Sequence, residues 1–334
     1  MVRFGDCVVF GGCGWTGSFL VAALRRLSTA LGIGAVHAVD IHPAIAPLQH
    51  LHEGVEYHCC DISDVADVNR MLNALNPTVV FHLASIIDLR VHPSRRIDRV
   101  NVGGTENIIA ALRAAPASCR RFLIYTSTID VVSHTWGITA ADESFPYADK
   151  DPSNAYKRTK IAAEKAVLRA DCDGLRTVAL RPGHIYGPGD PILAHVVASP
   201  IGIGPQQSLM SFVYVQNCAY CHILAACALM EESEAEGRLE GLGPVRGRPF
   251  FVTDFDVNFT DFYCRLGGKN RVRVRMSWWV VAFIVAIAEI LDHIVYYALN
   301  ASCQHPVTGI SRGILEACGH LTATSVQARR ELFY

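Results

Sequence analysis

Apolar residues along the chain fall into short continuous runs that alternate with stretches of helical spacing. Asp6-Cys7-Val8-Val9-Phe10 reads as a buried strand, and Gly11-Gly12-Cys13-Gly14-Trp15-Thr16-Gly17 follows at once. Phe19, Leu20, Ala23, Leu24 and Leu27 then recur at helical spacing, so the order is strand, glycine turn, helix. Strands are predicted at 35–39, 55–58, 78–82 and 121–126, with helices at 65–75 and about 95–115. This alternation predicts an α/β fold with a doubly wound parallel sheet that receives its ligand at the strands' carboxyl ends. Residues 1–190 read as that unit and 191–334 as a smaller C-terminal region. The charge-rich stretch 231–240 reads as a solvated surface loop.

One apolar run differs from the rest. Residues 278–288 (WWVVAFIVAIA) contain no polar side chain, and as a helix they cover roughly 16 Å, about half of a bilayer's hydrocarbon core. The run does not span a membrane by itself. Beyond it Glu289, Asp292 and His293 share one face, while Ile290, Leu291, Ile294 and Val295 supply an apolar one. Before it, Lys269, Arg271, Arg273 and Arg275 alternate with other residues, which on a strand gathers four cations on one side. Basic collar, apolar body and the aromatic Trp278, Trp279, Tyr296 and Tyr297 fit a monotopic membrane anchor over 278–301. The alternative is an ordinary buried helix beside a solvated basic strand.

Composition sharpens these readings. Apolar residues make up 51% and charged residues 18% of the 334, against about 25% charged in soluble domains, so the chain must bury a large core. A net charge of −1 gives no basic field for nucleic acid, which is excluded as an expected partner. The 12 cysteines are scattered and read as reduced thiols. Cys218-Ala219-Tyr220-Cys221-His222 matches a c-type haem attachment pattern, but that chemistry needs an exported chain. The N-terminus runs from a strand straight into glycines, with no charged and then apolar leader, so no cleaved signal is expected.

The glycine turn carries the first chemistry. Gly11, Gly14 and Gly17 let the chain turn tightly, let backbone approach a pyrophosphate, and bring the following helix N-terminus toward phosphate charge. Asp40 ends the second strand 23 residues beyond Gly17, where a carboxylate binds the adenosine ribose hydroxyls and repels a 2′-phosphate. NAD is therefore favoured over NADP. The strand ending at Thr126 delivers Ser127 and Thr128 to the sheet's carboxyl edge, and Tyr156 and Lys160 share a later helix face. A cation one turn from a phenol lowers its pKa and makes it a workable proton carrier.

These residues, with Asp61-Ile62, Asn101, Gly104-Thr105 and Arg181-Pro182-Gly183-His184-Ile185-Tyr186-Gly187, resemble the extended short-chain dehydrogenase/reductase superfamily. Within it the chain looks most like the 3β-hydroxysteroid dehydrogenase family, including the sterol-4α-carboxylate 3-dehydrogenases. Phe122-Leu123-Ile124-Tyr125-Thr126-Ser127-Thr128, Phe212-Val213-Tyr214-Val215 with Asn217, Ala219 and His222, and the apolar segment at 278 support that likeness. The resemblance implies a Rossmann-type fold in which Tyr156 is acid and base on the substrate 3-hydroxyl. Lys160 would bind the nicotinamide ribose and tune Tyr156, and Thr128 would stabilise the reacting oxygen. Trp15, Thr16, Asp61, Ile62 and Ala84 would join the cofactor site, and backbone around Pro182 and His184 would meet the carboxamide. It further implies NAD-dependent oxidation of a 3β-hydroxysterol to the 3-ketone, a membrane-associated protein with a cytosol-facing catalytic unit (endoplasmic reticulum in a eukaryote), and admits a homodimer. Loss of CO2 would follow easily from a 4-carboxysterol, and the resemblance also admits Δ5-isomerisation, which would need a further base that the sequence does not single out.

Two departures stand out. Thr128 occupies a place where that family commonly has serine, and its methyl stiffens the rotamer. The chain also stops at Leu332-Phe333-Tyr334 where relatives continue through one more helix, so the element closing the substrate region is expected to be absent or of another form. Three rivals remain in view. A nucleotide-sugar epimerase or dehydratase needs cations for a diphosphate, and 193–211 holds no Arg or Lys. A non-catalytic dinucleotide sensor would not need Tyr156 and Lys160. A purely structural membrane protein would leave the glycine turn and Asp40 unexplained.

Overall fold

Seven of the apolar runs become the strands of one sheet. The computed structural model describes residues 3–42, 52–89, 93–116, 120–134, 137–149, 155–190, 201–203, 207–234, 242–268, 274–298 and 320–334. Strand β1 (Gly5–Phe10) leads through the glycine turn into helix α1 (Trp15–Arg26), a short helix α2 (Ser28–Leu31) and strand β2 (Ile33–Asp40). Strand β3 (Glu56–Cys59), helix α3 (Val65–Leu75), strand β4 (Val79–His82), the short helix α4 (Arg96–Asp98), helix α5 (Thr105–Arg113) and strand β5 (Arg121–Thr126) follow. Strand β6 (Ile138–Ala141), helix α6 (Ala155–Arg169) and strand β7 (Leu175–Pro182) complete the first half. Strands β8 (His184–Tyr186), β9 (Ile201–Ile203) and β10 (Met210–Tyr214), helix α7 (Val215–Glu234), and strands β11 (Arg248–Val252) and β12 (Phe255–Val257) come next. Helix α8 (Phe259–Leu266), strand β13 (Val274–Met276), helix α9 (Trp278–Ala298), strand β14 (Leu321–Ala323) and helix α10 (Val326–Glu331) end the chain.

The large sheet runs β11-β7-β5-β4-β1-β2-β3, and its paired strands are parallel. Alternate residues of each strand feed two separate cores. Cys7 and Val9 pack with α1 and α7, whereas Val8 and Phe10 pack with α3, α5 and α6. The chain winds from β1 toward β3 on one side and from β4 toward β7 on the other, so the switch point lies between β1 and β4. A crevice opens there at the strands' carboxyl ends.

The smaller sheet runs β12-β10-β14-β6, with β8 paired to β10, and β13 pairs β9 apart from it. Residues 1–190 and 191–334 interleave: β6 joins the smaller sheet, while β11 and α7 belong to the large sheet and its core. An aromatic group on the smaller sheet, Tyr186, Phe212, Phe255 and Phe262, packs with ring centroids 4.5–6.1 Å apart.

Several expectations change. The helix predicted at 95–115 is α4, then a six-residue π-helical segment Arg99–Gly104, then α5. The wider turn seats Asn101 inward, and Gly104 leaves room for Ile62: a Cβ on Gly104 would lie 2.6 Å from the Ile62 side chain. The loop predicted at 231–240 begins as helix, because α7 continues to Glu234, and Glu232 accepts the amides of Val245 (2.7 Å) and Arg246 (3.2 Å). Cys218 and Cys221, read above as a haem pattern, are buried core side chains of α7. The segment 278–301 is helical over Trp278–Ala298, and among the described residues no helix is long and apolar enough to cross a membrane. Of the basic collar, Arg275 is ion-paired with Asp261, and Lys269, Arg271 and Arg273 lie outside the described residues.

Candidate active site

The glycine turn closes on itself. A Cβ on Gly17 would stand 2.0 Å from the Gly11 carbonyl oxygen, so α1 starts directly beneath the turn only because that position is glycine. No side chain caps α1 at Gly14. Its first-turn amides, at Trp15, Thr16 and Gly17, are left without a side-chain cap at the positive end of the helix dipole, next to Gly14, which lines the cleft. The Trp15 indole donates to the Pro188 carbonyl (2.8 Å) and fixes the turn against the chain beyond β8.

At the switch point lies a cleft of about 280 Å³ lined by Gly11, Gly14, Asp40, Asp61, Ile62 and Ala84, all expected from the sequence. Val39, Ile41, Cys60, Leu83, Ser85, Ile86, Arg96 and Val100 complete the lining. Asp40 accepts the Ile41 amide (2.8 Å) through one carboxylate oxygen. Burial pushes the Asp61 carboxyl up, but the Ser63 hydroxyl and amide, with Arg96 and Arg99 nearby, outweigh it and hold the group below its ordinary value. An uncapped helix N-terminus under a glycine turn, an apolar slot and a carboxylate at the end of β2 together fit a dinucleotide.

The second part of the site stands at the end of β5. Thr128 donates to the Asp130 carboxylate (2.9 Å) and accepts the Asp130 amide (3.2 Å), and both residues act on the Tyr156 phenol. Burial and then the Asp130 carboxylate raise the Tyr156 phenol above its ordinary range, with Thr128 pulling the other way. The expected lowering by Lys160 is not what sets this phenol. Lys160 instead donates to the Thr126 carbonyl, and its ammonium lies 4.4 Å from the Tyr125 ring centroid. Burial pulls Lys160 down to about 7, against the opposing Glu164 carboxylate.

Hydrogen bonds tie the cleft to helix α6. Asn101 holds both backbone groups of Ile86 (2.7 and 2.9 Å) and donates to Thr159 on α6 (3.0 Å). One turn beyond Lys160, Glu164 forms a buried ion pair with Arg181 of β7 (2.6 Å) and accepts the Tyr147 hydroxyl (2.7 Å). From α7, His222 meets the Thr126 hydroxyl (2.6 Å), and burial pulls its imidazole down to about 4. Pro182 ends β7, and His184 opens β8 with its side chain turned into the aromatic core. There its Nε2 lies 2.6 Å from the Tyr263 hydroxyl, which donates to Asp190 (2.7 Å), so this ring nitrogen is held within the smaller sheet's core.

Asp130 and Arg96 escaped the sequence reading. Asp130 had one signal, its place two residues past Thr128, where a carboxylate commonly closes a turn. Arg96 had none, since its neighbours Arg95 and Arg99 are equally basic.

Among known proteins, a sequence profile of the 3-beta hydroxysteroid dehydrogenase/isomerase family matches residues 8–277. The chain belongs to that family. The 3-beta hydroxysteroid dehydrogenase/isomerase match ends just before α9. Short-chain dehydrogenase/reductase family 42E member 1 of Danio rerio is 34% identical over 309 residues, 86% of this chain and 74% of that protein. The chain spans 62–74% of the length of the family 42E relatives from Danio rerio, Macaca fascicularis and Mus musculus. The decarboxylating sterol-4-alpha-carboxylate 3-dehydrogenase of Candida albicans is 29% identical over 275 residues, 79% of this chain and 74% of that one. In fold, the chain is similar to the UDP-glucose 4-epimerase of Thermus thermophilus solved with NAD. There the TM-score is 0.61 at 21% identity, with 95% of this chain and 98% of that chain covered.

Proposed function

We propose that the protein is an NAD-dependent oxidoreductase that oxidises the 3β-hydroxyl of a sterol or steroid to the 3-ketone. The observation that carries this reading is the half-buried Tyr156, whose phenol lies within the influence of Thr128 and Asp130 past the end of β5, one helical turn before Lys160. The family membership and the sterol dehydrogenase relative support the substrate class.

Gly11, Gly14 and the first turn of α1 would hold the pyrophosphate, Asp40 the adenosine ribose, and the Asp61–Ile62 wall the adenine. When bound, NAD+ supplies the two-electron acceptor. Thr128 and Tyr156 then grip the substrate oxygen from one side. Tyr156 takes the hydroxyl proton as the carbon–oxygen double bond forms, and Thr128 keeps that oxygen in line. A base must be deprotonated to act, and the surroundings of Tyr156 favour its proton, so oxidation quickens as pH rises and ketone reduction quickens as it falls. With a carboxylate on the neighbouring carbon, the product is a β-keto acid that loses CO2 readily.

Helix α9 supports a membrane surface as the working location. Val281, Val285 and Ala288 are buried along one stripe, while Trp279, Phe283, Ile287, Ile290 and Ile294 are exposed. A contiguous apolar face on a helix of roughly 31 Å suits the headgroup boundary, where sterols reside.

The experiment gives the purified full chain a 3β-hydroxysteroid, a 3β-hydroxysterol, a 4-carboxysterol and a UDP-hexose, and follows NADH formation together with chromatographic identification of the product, because an epimerase recycles its NADH. The reading expects turnover on at least one of the steroid or sterol substrates and none on the nucleotide sugar. Turnover of the UDP-hexose alone would overturn it.

A further inference from the structure

Away from the cleft, the parallel pairing of β2 and β3 sets His37 opposite Glu56 and Val39 opposite His58. Residues two apart on a strand point to the same side, so His37, Glu56 and His58 converge on one face of the sheet edge. Nδ1 of His37 lies 3.1 Å from Nε2 of His58 and 3.3 Å from Oε2 of Glu56, and that oxygen lies 3.7 Å from Nε2 of His58. A tetrahedral Zn2+ with bonds of about 2.0–2.2 Å holds neighbouring ligand atoms roughly 3.3–3.6 Å apart. The three distances here bracket that range within about 0.2 Å and outline one face of such a tetrahedron. The His37 side chain is buried (6% exposed), whereas Glu56 is 61% exposed, so the fourth position opens to water on the Glu56 side.

We propose that His37, Glu56 and His58 form a binding site for one divalent transition-metal ion of the Zn2+ class. Two imidazoles with one carboxylate suit Zn2+ and Co2+, while Mg2+ and Ca2+ favour oxygen ligands. The site is structural, and it does not depend on the oxidoreductase reading. Strand β3 is the outermost strand of the large sheet and runs directly into Cys60, Asp61 and Ile62 of the cleft; β2 ends in Asp40. A bound ion would cross-link these two strands where they approach the adenine end of the cleft and hold an edge strand that has a sheet neighbour on one side only.

The same three distances also suit a hydrogen-bonded trio with no ion, and the test separates the two. The full chain, stripped with a chelator, is titrated with Zn2+ by calorimetry and with Co2+ by visible absorption, beside Glu56→Gln and His58→Asn. Glu56 is 61% exposed, so the metal-free melting temperature of Glu56→Gln should match the wild type, whereas the half-buried His58 also contacts His37 and its variant is judged beside its own metal-free melting temperature. We expect one tight Zn2+ per chain, a rise in melting temperature with Zn2+, and a four-coordinate Co2+ spectrum without a thiolate charge-transfer band. Each variant should lose at least tenfold in affinity, since even outer-shell partners commonly cost about 10–100-fold. Should either variant itself melt early, the wild-type Co2+ spectrum and stoichiometry decide. Absence of binding in the wild type, thiolate ligation in its Co2+ spectrum, or unchanged Zn2+ affinity in both variants would overturn the site.

Discussion

The proton on Tyr156 is governed by three neighbours of different kinds: the apolar interior and Asp130, which favour keeping it, and the Thr128 hydroxyl, which favours its loss. Thr128→Val should lower kcat by about 10²-fold or more, the range of one general acid–base contribution, and Thr128→Ser should restore most of it; steady-state rates with a 3β-hydroxysterol check both. Lys160 makes a stability prediction whose sign is fixed. Its folded value near 7 lies below the ordinary 10.5, so between these limits the unfolded chain holds the proton that the folded chain has released. Its contribution to stability therefore rises with pH from about 7 toward 10.5 and is least favourable below 7. Lys160→Met should flatten that rise in urea unfolding across the same window. Tyr156, Lys160 and Thr128 were legible because their order after a glycine turn and an apolar strand is informative. The direction of the phenol's shift was not, because it depends on where Lys160 points and on Asp130, which the fold alone brings into play.

Among the elements, α6 carries the most consequence, since one helix holds Tyr156, Lys160 and Glu164 and is pinned from three sides. Asn101 ties it to the cleft through Thr159, Lys160 reaches the end of β5, and the Arg181–Glu164 ion pair clamps it to β7. That pair is buried on both sides. Removing one partner strands the other charge, so Arg181→Met should cost about 3–5 kcal/mol by urea unfolding, with loss of activity following the loss of fold. Helix 65–75 and strand 121–126 are found with the bounds the sequence suggested, because each ends at a clear signal: Asp64 caps the helix by accepting the amides of Ala66 and Asp67, and Ser127 and Thr128 terminate the strand. The stretch 95–115 was misread as uninterrupted α-helix. Its apolar spacing suits either winding, and the π segment follows from two tertiary demands, the buried Asn101 amide and the Ile62 side chain against Gly104.

Across the whole molecule, the large sheet supplies a cofactor cleft and the smaller sheet an aromatic surface, and the chain passes between them more than once through β6, β11 and β14. Such interleaving leaves little trace in sequence, because a strand's partners are set by pairing across long separations. The apolar surplus noted in the composition has a visible location: α9 buries Val281, Val285 and Ala288 and exposes Trp279, Val280, Phe283, Ile284, Ile287, Ile290, Leu291 and Ile294. If that face meets lipid, Trp279→Glu with Phe283→Glu should abolish sedimentation with phosphatidylcholine–phosphatidylserine vesicles while leaving turnover of a detergent-solubilised substrate intact; equal sedimentation of wild type and double variant would refute the membrane role. The Tyr156 phenol and the dinucleotide cleft together are tested most directly by one comparison. Wild type and Tyr156→Phe are each given NAD+ and a 3β-hydroxysterol, with NADH formation and NAD+ binding followed in parallel. The expected result is turnover by the wild type, a loss of at least about 10²-fold in the variant, and NAD+ binding retained by both. Turnover unchanged in Tyr156→Phe would contradict the account.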